Sequence, residues 1–448
     1  MDNKIVIVGS GVVGIHAATK LIDGGYPGKL ISIIDIGKNP YDRPDTELMR
    51  GFAGCGLKSD GKYTRSHEVG GILSKYCGNE KAYQLMDETI EMLRRFHPDP
   101  DKIIKSEPIE EPEFIKPHFN LRLFPVWHVG TDYLDITGKN WYNWLVEKGV
   151  NFIFDTEVVD IDFENKEIIT KHNNIEFKKL IYATGKSGIA LTQKLINKYS
   201  LHVEPKSLQL GIRYEAPQKY FQKLVDLAYD FKLYQKPNDE VSVRTFCVNN
   251  DKAYVAIEET YGDITYNGHS KKQEKFRNNM TNFGIIMEIK GIENPFEWSR
   301  KIVEKCQKFS KGKKSGLYYS PNKTRHPSLT AEGTQINCYE LDSLDYFKEI
   351  YGEYAIYIIN FINDLNKVFN FGDDYGIYIS EVKYLTPEVI VDHSNLSLKQ
   401  YPDVYFAGDS LSARGIVISG CHGLYISEYL LQNSLLECDK NLKMEKVS

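Results

Sequence analysis

The sequence predicts an α/β fold in which both ends of the chain build one parallel sheet and the middle forms an α+β insert. Three short apolar runs support this prediction: Lys4–Val8, Leu180–Tyr182 and Tyr405–Phe406, each closed by small residues and a glycine. Such runs are typical of buried parallel strands that end beneath a bound nucleotide. No such motif occurs between residues 200 and 375, so that stretch is predicted to be a separate domain.

The first run leads into Gly9–Gly14 (GSGVVG), which opens a predicted helix at Val12–Leu21. Gly9 permits the tight turn between strand and helix, and Gly11 lets a pyrophosphate approach the backbone. Gly14 lets the helix pack closely on the strand, and the amides of the helix N-terminus would face the phosphates. This arrangement predicts a dinucleotide-binding unit of the Rossmann type, with a purely structural glycine turn as the alternative.

An acidic residue follows the second predicted strand. The apolar run Leu30–Ile34 ends at Asp35, which would accept hydrogen bonds from an adenosine ribose. A glycine-rich loop comes soon afterwards at residues 50–62 (RGFAGCGLKSDGK). FAD is longer than NAD and would use this second loop, whereas the alternative is a disordered surface loop. Phe52 and Leu57 favour the ordered loop, because disordered segments contain few large apolar residues.

The stretch from residue 80 to residue 163 predicts two helices and three strands. Apolar residues recur with helical spacing at 80–97, and Gly138–Lys148 is predicted to be a second helix. Strands are predicted at Leu121–Val126, Asn151–Phe154 and Thr156–Phe163. The last of these resembles the strand that places its backbone on the adenine in flavoproteins.

Two later segments are predicted to return to the same cofactor. Ala183–Gly185 (ATG) ends a strand with small residues, which permit a nucleotide to lie close above it. Further on, Gly408 and Asp409 end another strand, and a helix follows Arg414–Ile416. The acid would bond a ribityl hydroxyl, and the helix-start amides would face pyrophosphate or the flavin O2 edge. This pairing with the first motif predicts FAD, and it requires Gly11 and Asp409 to share one cleft.

The middle of the chain offers candidates for substrate chemistry. Arg244 lies in a strand-like run and His269 in the later segment Tyr266–Ser270, and buried Arg and His side chains on strands or turns are costly unless paired or used. A turn histidine bonded to backbone carbonyls is the alternative for His269, and Cys247 is better explained as a small core hydrophobe. The basic segment Lys323–Pro327 would bind an anionic substrate or form a solvated loop. Helices are predicted at Tyr220–Tyr229, Pro295–Phe309 and Tyr351–Phe369.

Composition sets limits on these interpretations. The chain has 448 residues, 42 % of them hydrophobic, and a net charge of −5, which does not favour nucleic-acid binding. No stretch reaches the ~18 apolar residues of a membrane span, and the N-terminal run lacks a secretory cleavage site. The seven cysteines are scattered without a CxxC pair. This pattern predicts neither a metal site nor disulfides, and it indicates a cytoplasmic protein.

The sequence resembles a family of uncharacterised FAD-dependent, or NAD(FAD)-utilising, dehydrogenases. The resemblance covers nearly the whole chain through GSGVVG, GFAGCGLKSDGK, IYATG, VRTFCV with YNGHS, EVKYLTPEV and YFAGDSLSARGIVISGCHGLYISE. It implies non-covalent FAD held by Gly9, Gly11, Gly14, Asp35, the 54–59 loop, Thr184, Gly185, Asp409, Gly415 and Ile416. The chain departs from the family at 248–251, where members carry a Cys-rich turn, and at Cys421 and His422, where small or amide residues are commoner.

These observations predict a glutathione-reductase-type FAD domain in residues 1–200 and 376–435, with a helical insert at about 65–120. Residues 201–375 would form the α+β substrate domain, and 436–448 a tail. The predicted cofactor contacts are Gly9, Gly11, Val13, Gly14, Asp35, Ile36, Gly54, Cys55, Gly56, Ser59, Val158, Ala183, Thr184, Gly185, Gly408, Asp409, Arg414, Gly415 and Ile416. Arg244 and His269, followed by Cys421 and His422, are the candidates for orienting substrate and moving protons.

The chain is therefore expected to be an FAD-dependent oxidoreductase that transfers hydride at the flavin to or from a small organic substrate. NAD(P)H is considered as a transient electron donor. A flavin-dependent monooxygenase and a flavin-holding subunit of an RNA-modifying complex are the alternatives. A disulfide reductase is not indicated, because the chain lacks a second GxGxxG and a mid-chain cysteine pair. Neither a nucleic acid nor a membrane is expected as a partner, and the oligomeric state is left open.

Overall fold

The computed structural model describes residues 4–445 except 45–46, 72, 108–111, 261–262, 311–314, 331–332, 384 and 386. The chain divides into two compact units. The first comprises Met1–Ile103, Tyr133–Pro205 and Thr386–Ser448. The second comprises Ile104–Asp132 and Lys206–Leu385.

The described residues form ten α-helices, numbered in chain order as α1 (Val12–Asp23), α2 (Ser74–Cys77), α3 (Asn79–Phe96), α4 (Thr131–Glu147), α5 (Ile189–Lys198), α6 (Gln222–Val225), α7 (Pro295–Phe309), α8 (Asp345–Tyr351), α9 (Ala355–Phe369) and α10 (Ile416–Glu445). They form 23 strands, numbered in the same way as β1 (Ile5–Val8), β2 (Ile31–Ile34), β3 (Lys62–Thr64), β4 (Ile104–Ser106), β5 (Asn120–Leu123), β6 (Val126–His128), β7 (Asn151–Ile153), β8 (Val158–Asp162), β9 (Glu167–Thr170), β10 (Asn174–Glu176), β11 (Lys179–Tyr182), β12 (Val203–Glu204), β13 (Leu208–Pro217), β14 (Phe231–Gln235), β15 (Val241–Asp251), β16 (Ala253–Thr260), β17 (Asp263–Ser270), β18 (Met280–Ile289), β19 (Gly316–Tyr319), β20 (Cys338–Leu341), β21 (Gly376–Lys383), β22 (Glu388–Val389) and β23 (Val404–Phe406).

A five-stranded parallel sheet forms the centre of the first unit, in the order β23–β11–β1–β2–β7. Every residue of β1, β2 and β23 is buried. Strands of this kind are covered on both faces and therefore consist of continuous apolar runs. The predicted α/β fold, with a parallel sheet assembled from both ends of the chain, is confirmed.

Helices α1 and α10 pack closely in the first unit because α10 contributes glycines to their interface. A Cβ atom on Gly423 would lie 2.5 Å from the carbonyl oxygen of Val13. Helix α4 joins the same layer, where the Trp141 indole N–H donates to the Thr19 hydroxyl at 2.7 Å. These contacts fix the helix that follows the first glycine motif.

An eight-stranded sheet forms the second unit, in the order β20–β19–β21–β13–β18–β15–β14–β5. Its pairs are antiparallel except for β19 with β20. The hairpin of β16 and β17 belongs to the same unit. Aromatic rings fill part of the core, including Tyr214 stacked on Phe283 with ring centroids 5.0 Å apart.

The unit limits differ from the predicted ones, and strand pairing explains the difference. The predicted helical insert at 65–120 is helical in α2 and α3, but residues from Ile104 belong to the second unit because β5 pairs with β14. The second unit also extends past residue 375, because β21 pairs with β13. Helix α10 continues to Glu445, beyond its predicted end near Leu431.

Several element predictions are confirmed and others are corrected. The predicted helix at Pro295–Phe309 coincides with α7. The predicted strand at Leu121–Val126 is split into β5 and β6, because Pro125 cannot donate a ladder hydrogen bond. The predicted helix at Tyr220–Tyr229 is reduced to the four residues of α6. Within the described ranges, no helix combines the length and apolar composition that crossing a lipid bilayer demands.

Candidate functional site

A cleft of about 230 Å³ in the first unit opens at the carboxyl ends of β1, β2, β11 and β23. Ligands of open α/β sheets bind in this position. Gly11 and Asp409 both line the cleft, which satisfies the requirement set by the sequence. The predicted contacts that line it are Gly9, Gly11, Val13, Asp35, Ile36, Gly54, Cys55, Val158, Ala183, Thr184, Gly185, Gly408, Asp409 and Arg414.

The geometry at Gly9 and Gly14 matches the turn and the helix packing that the sequence predicts, and the space at Gly11 is open. Gly9 has φ +110°, and a Cβ atom there would lie 2.5 Å from the Ala183 carbonyl oxygen. A Cβ atom on Gly14 would lie 2.2 Å from the Gly9 carbonyl oxygen, so Gly14 serves helix packing and does not line the cleft. A Cβ atom on Gly11 would meet no atom within 4 Å. The space above Gly11 is therefore open to a ligand, beside the first amides of α1, which lack intrahelical acceptors.

The Asp35 carboxylate accepts hydrogen bonds from three neighbouring loops. Its Oδ2 accepts hydrogen bonds from the backbone N–H and the hydroxyl of Ser10, at 2.8 and 2.7 Å. Its Oδ1 accepts from the backbone N–H groups of Gly37 and Gly51, at 2.8 and 2.9 Å. A carboxylate offers about four acceptor sites, so the protein's own donors use those of Asp35. The predicted hydrogen bond to a ribose would have to replace one of these four.

The glycine-rich loop at 50–62 is ordered against the first motif. The Ala53 N–H donates to the Ser10 carbonyl at 2.7 Å, and a Cβ atom on Gly54 would lie 3.4 Å from the Gly11 Cα. Gly54 and Cys55 line the cleft, whereas Gly56 and Ser59 do not. Gly56 packs on the Val12 side chain, and the Ser59 hydroxyl donates to the Gly56 carbonyl at 3.1 Å.

The end of β11 forms the opposite wall. Ala183, Thr184 and Gly185 line the cleft. The Thr184 hydroxyl is buried and has no hydrogen-bond partner among the described residues, and a Cβ atom on Gly185 would meet no atom within 4 Å. A buried hydroxyl without a partner is costly in a finished protein. This wall therefore has one donor and open space for a ligand.

The Gly408–Asp409 turn lines the cleft, but the amides at the start of α10 do not. Asp409 forms an ion pair with Arg414, with Oδ1 3.1 Å from Nε. The backbone N–H groups of Arg414 and Gly415 both donate to the Gly70 carbonyl, at 2.7 and 3.1 Å. Gly415 and Ile416 are absent from the cleft wall. The Arg414 and Gly415 amides therefore already have an acceptor inside the protein, and a cofactor contact by the Gly415 and Ile416 amides remains a prediction.

Cys421 and His422 lie in the core of the first unit and do not line the cleft. Burial raises the pKa of the Cys421 thiol to about 12, which keeps it protonated. Burial, helped by the charge of Lys75, lowers the pKa of His422 to about 3. The Nδ1 atom of His422 accepts a hydrogen bond from the Gly408 N–H at 3.4 Å. The structure supports a positioning contact for His422 and gives no support to proton transfer by either residue.

Arg244 and His269 both belong to the second unit and do not line the cleft. Arg244 lies on β15 opposite Tyr234, and burial lowers its pKa, although Glu288 and Tyr234 oppose this. His269 lies within β17 opposite Tyr254, so the alternative of a turn histidine is not supported. Their catalytic roles remain predictions.

Two further sequence interpretations in the second unit are corrected. Cys247 is partly exposed at a bulge of β15 with φ +50°, so it is not a buried core residue. In the basic segment 323–327, the Arg325 guanidinium pairs with Asp374 at 3.1 Å and with Glu215 at 3.6 Å. The charge of this segment is therefore used inside the unit.

Sequence reasoning missed several parts of the cleft wall. The segment after Gly185 contributes Lys186, Ser187 and Gly188 and leads into α5. The run Gly185–Gly188 (GKSG), directly after a strand and before a helix, was the available signal. The other lining residues that were not among the predicted contacts are Val8, Val12, Ile34, Met49, Arg50, Gly51, Ala53, Thr156, Glu157, Ala190, Leu191, Ala413 and Ser419.

Comparison with known proteins finds distant likenesses to flavoproteins. No protein-family model matches the chain. A stretch of 98 residues is 33 % identical to monodehydroascorbate reductase 3 of Arabidopsis thaliana; it covers 20 % of this chain and 22 % of that protein's length.

Among solved structures, the glycine oxidase of Bacillus cereus aligns over 97 % of this chain and 96 % of its own, with 11 % identity and a TM-score of 0.41. A flavoprotein/dehydrogenase from Cytophaga hutchinsonii aligns over 96 % and 79 %, with 11 % identity and a TM-score of 0.40. A halogenase, PltM, in complex with FAD aligns over 97 % and 70 %, with 10 % identity and a TM-score of 0.43. TM-scores below 0.5 decide neither the fold nor the reaction of this chain.

Proposed function

We propose that the chain is an FAD-dependent oxidoreductase that acts on a small organic substrate by hydride transfer, with a first unit of the glutathione-reductase type. One observation carries the proposal. The carboxyl ends of four strands, β1, β2, β11 and β23, meet at one cleft beside the N-terminus of α1. Strand ends with this placement are typical of dinucleotide sites. We also propose that the protein acts in the cytoplasm without a nucleic-acid or membrane partner.

The cleft residues fit FAD at three points. The N-terminus of α1 carries roughly half a positive charge, which suits a diphosphate above Gly11. Arg50 and Lys186 add positive charge to the wall. The Thr184 hydroxyl has no hydrogen-bond partner in the described part of the chain and could donate to a ligand oxygen. Asp35 supports this site by holding the loops at 10, 37 and 51 together.

FAD, when bound, supplies reversible hydride transfer. The residues of this chain bind and orient it: the open space above Gly11 and Gly185 admits the ligand, and Val158 lies on the wall predicted to meet the adenine. The Asp409 carboxylate, paired with Arg414, would accept a hydrogen bond from a ribityl hydroxyl. Most of the wall is backbone or apolar surface, which excludes water from the buried side of the ligand.

The first experiment measures which flavin the purified protein holds. We expect visible flavin absorbance, release of FAD on heating, and rebinding of FAD in preference to FMN or riboflavin by the apoprotein. FMN lacks the adenylate half that the Gly11 side of the cleft would hold. A protein that shows no flavin absorbance before or after FAD is added would contradict the proposal.

A second experiment separates the reaction classes. Bleaching of the bound flavin under anaerobic conditions, with NADH, NADPH or candidate substrates, identifies the electron donor of a dehydrogenase. A monooxygenase would instead incorporate an atom of labelled O2 into its product. Salt-dependent RNA retention would favour the RNA-modification alternative, which the net charge of −5 does not favour.

A further inference from the structure

Lys272 occupies a fixed position in the second unit. Its backbone N–H donates to Asp132 Oδ1 at 3.0 Å, and the next amide, of Gln273, donates to Asp132 Oδ2 at 3.0 Å. Its stem packs on the backbone of Gly130, where a Cβ atom would lie 2.2 Å from Lys272 Cγ. Gly130 has φ +88°, a conformation that suits glycine. Backbone and stem are thus both held in place.

The ammonium group of Lys272 lies beside a tyrosine–histidine pair. Its Nζ is 5.9 Å from the centroid of the Tyr229 ring. That ring stacks on His128 with centroids 4.1 Å apart, and the Tyr229 hydroxyl is 3.2 Å from His128 Nε2. His128 is buried, whereas Lys272 and Tyr229 are partly accessible. A small reagent can therefore approach this cluster, in which Tyr229 and His128 are the proton-exchanging groups.

Lys252 is a lysine of the same region in a contrasting environment. Its Nζ pairs with Asp251 at 2.9 Å and with Glu274 at 3.0 Å. Burial lowers its pKa, but these hydrogen bonds outweigh burial and raise it overall.

Lys272 forms no ion pair with any described residue. Burial lowers the pKa of Lys272 to about 8; the charge of Asp132 opposes this, and that of Lys252 adds to it.

We propose that Lys272 is a nucleophilic amine that condenses with small aldehydes or ketones to form an imine. The nitrogen attacks the carbonyl carbon and a C–N bond forms. The carbonyl oxygen leaves as water with the two hydrogens of the neutral amine, so that no oxidant or reductant is consumed. Desolvated lysines without a counter-ion are the ones that perform this chemistry in proteins. The site is independent of the FAD proposed for the first unit.

The test traps the imine in the protein as purified. Propanal and sodium cyanoborohydride at about pH 7 convert an imine to a stable propyl-lysine, which peptide mass spectrometry locates. A lysine of pKa about 8 is roughly one-tenth neutral at that pH, far more than an ordinary lysine of about 10.4. We expect Lys272 to be labelled at least about tenfold faster than Lys252 and than the exposed Lys219.

Two variants and a pH profile make the result decisive. Lys272→Arg keeps the positive charge and should remove this label while leaving the labelling of other lysines unchanged. The labelling rate of Lys272 should level off above about pH 9, whereas that of Lys252 should still rise. Tyr229→Phe keeps the ring and removes the hydroxyl that contacts His128, so it should lower the unfolding free energy by about 1 kcal/mol and should slow Lys272 labelling in a protein that is still fully folded. Equal rates for Lys272 and Lys252 at neutral pH would overturn the proposal.

Discussion

Gly11 in the first unit and Gly268 in the second lack a Cβ atom for opposite reasons. At Gly11 an added Cβ would meet nothing within 4 Å. At Gly268 it would lie 1.6 Å from Arg213 Nη2, 2.2 Å from Asn249 Nδ2 and 2.4 Å from Asn282 Oδ1. The first glycine leaves room for something outside the protein, and the second makes room for the protein's own buried side chains.

The comparison shows where each unit places its polar groups. The second unit buries Arg213 completely and ties it to its neighbours, since Nε and Nη2 donate to Asn282 Oδ1 and Nη2 also donates to the Cys247 carbonyl at 2.8 Å. Its Nη1 has no hydrogen-bond partner among the described residues and pairs with Glu381 Oε2 at 3.8 Å. In the first unit, the Thr184 hydroxyl likewise has no partner among the described residues, but Thr184 lines an open cleft. The two regions therefore differ in space: the Arg213 cluster has no room for a methyl group at Gly268, whereas Thr184 adjoins open space, as the polar groups of a ligand site do.

Gly268→Ala should have the largest effect on stability. The new methyl group would push the Arg213 guanidinium from its acceptors in a unit with no room to relax, so the free energy of unfolding should fall by about 3 kcal/mol or more. Urea unfolding measures it. Gly185→Ala is the matched control, because its methyl group would enter open space and should cost less than about 1 kcal/mol. Equal losses of unfolding free energy in the two variants would contradict the proposed difference between Gly268 and Gly185.

Acid should destabilise the first unit through its buried histidines. The pKa of His422 is lowered from 6.5 to about 3, so between these values the unfolded chain binds a proton that the native protein excludes. The stabilising contribution is present above pH 6.5 and is lost as pH falls, by about 1.4 kcal/mol per unit, or about 2 kcal/mol by pH 5. His422→Asn keeps an acceptor for Gly408 and should flatten this slope. An unchanged slope in urea titrations would refute the assignment. His16, with its pKa lowered to about 4 by burial, contributes with the same sign.

Gly11→Ala should separate binding from stability in the first unit. Its methyl group touches no protein atom, so the apoprotein should change by less than about 1 kcal/mol in urea unfolding. It would occupy the space proposed for the pyrophosphate and raise the Kd for FAD at least about tenfold, or about 1.4 kcal/mol. Flavin fluorescence titration measures the Kd. Unchanged FAD affinity would place the ligand elsewhere in the cleft.

The sequence predicted the strand ends and glycines of the cleft because both have short-range signals. Gly14 meets the Gly9 carbonyl, which lies within the same strand–turn–helix unit. The close contact of Gly9 with Ala183 on β11 is long-range, but the positive φ of Gly9 is the local feature that the motif signals. The sequence did not reveal that the Arg414 and Gly415 amides donate to the Gly70 carbonyl, because Gly70 lies over 300 residues earlier in the chain. Burial of Cys421 and His422 depends likewise on packing between distant helices, which no local pattern encodes.

Asp35→Asn should have the smallest effect and tests whether this acid holds loops or binds ribose. An amide accepts through one oxygen only, so the variant would lose acceptors for either the Ser10 donors or the amides of Gly37 and Gly51. We expect a loss of about 1 kcal/mol in the unfolding free energy of the apoprotein, where no ribose is present. Loosening of the loops should then weaken FAD and FMN binding by similar factors. If the apoprotein is as stable as the wild type and only FAD binding weakens, Asp35 contacts the adenosine ribose, since FMN lacks that group.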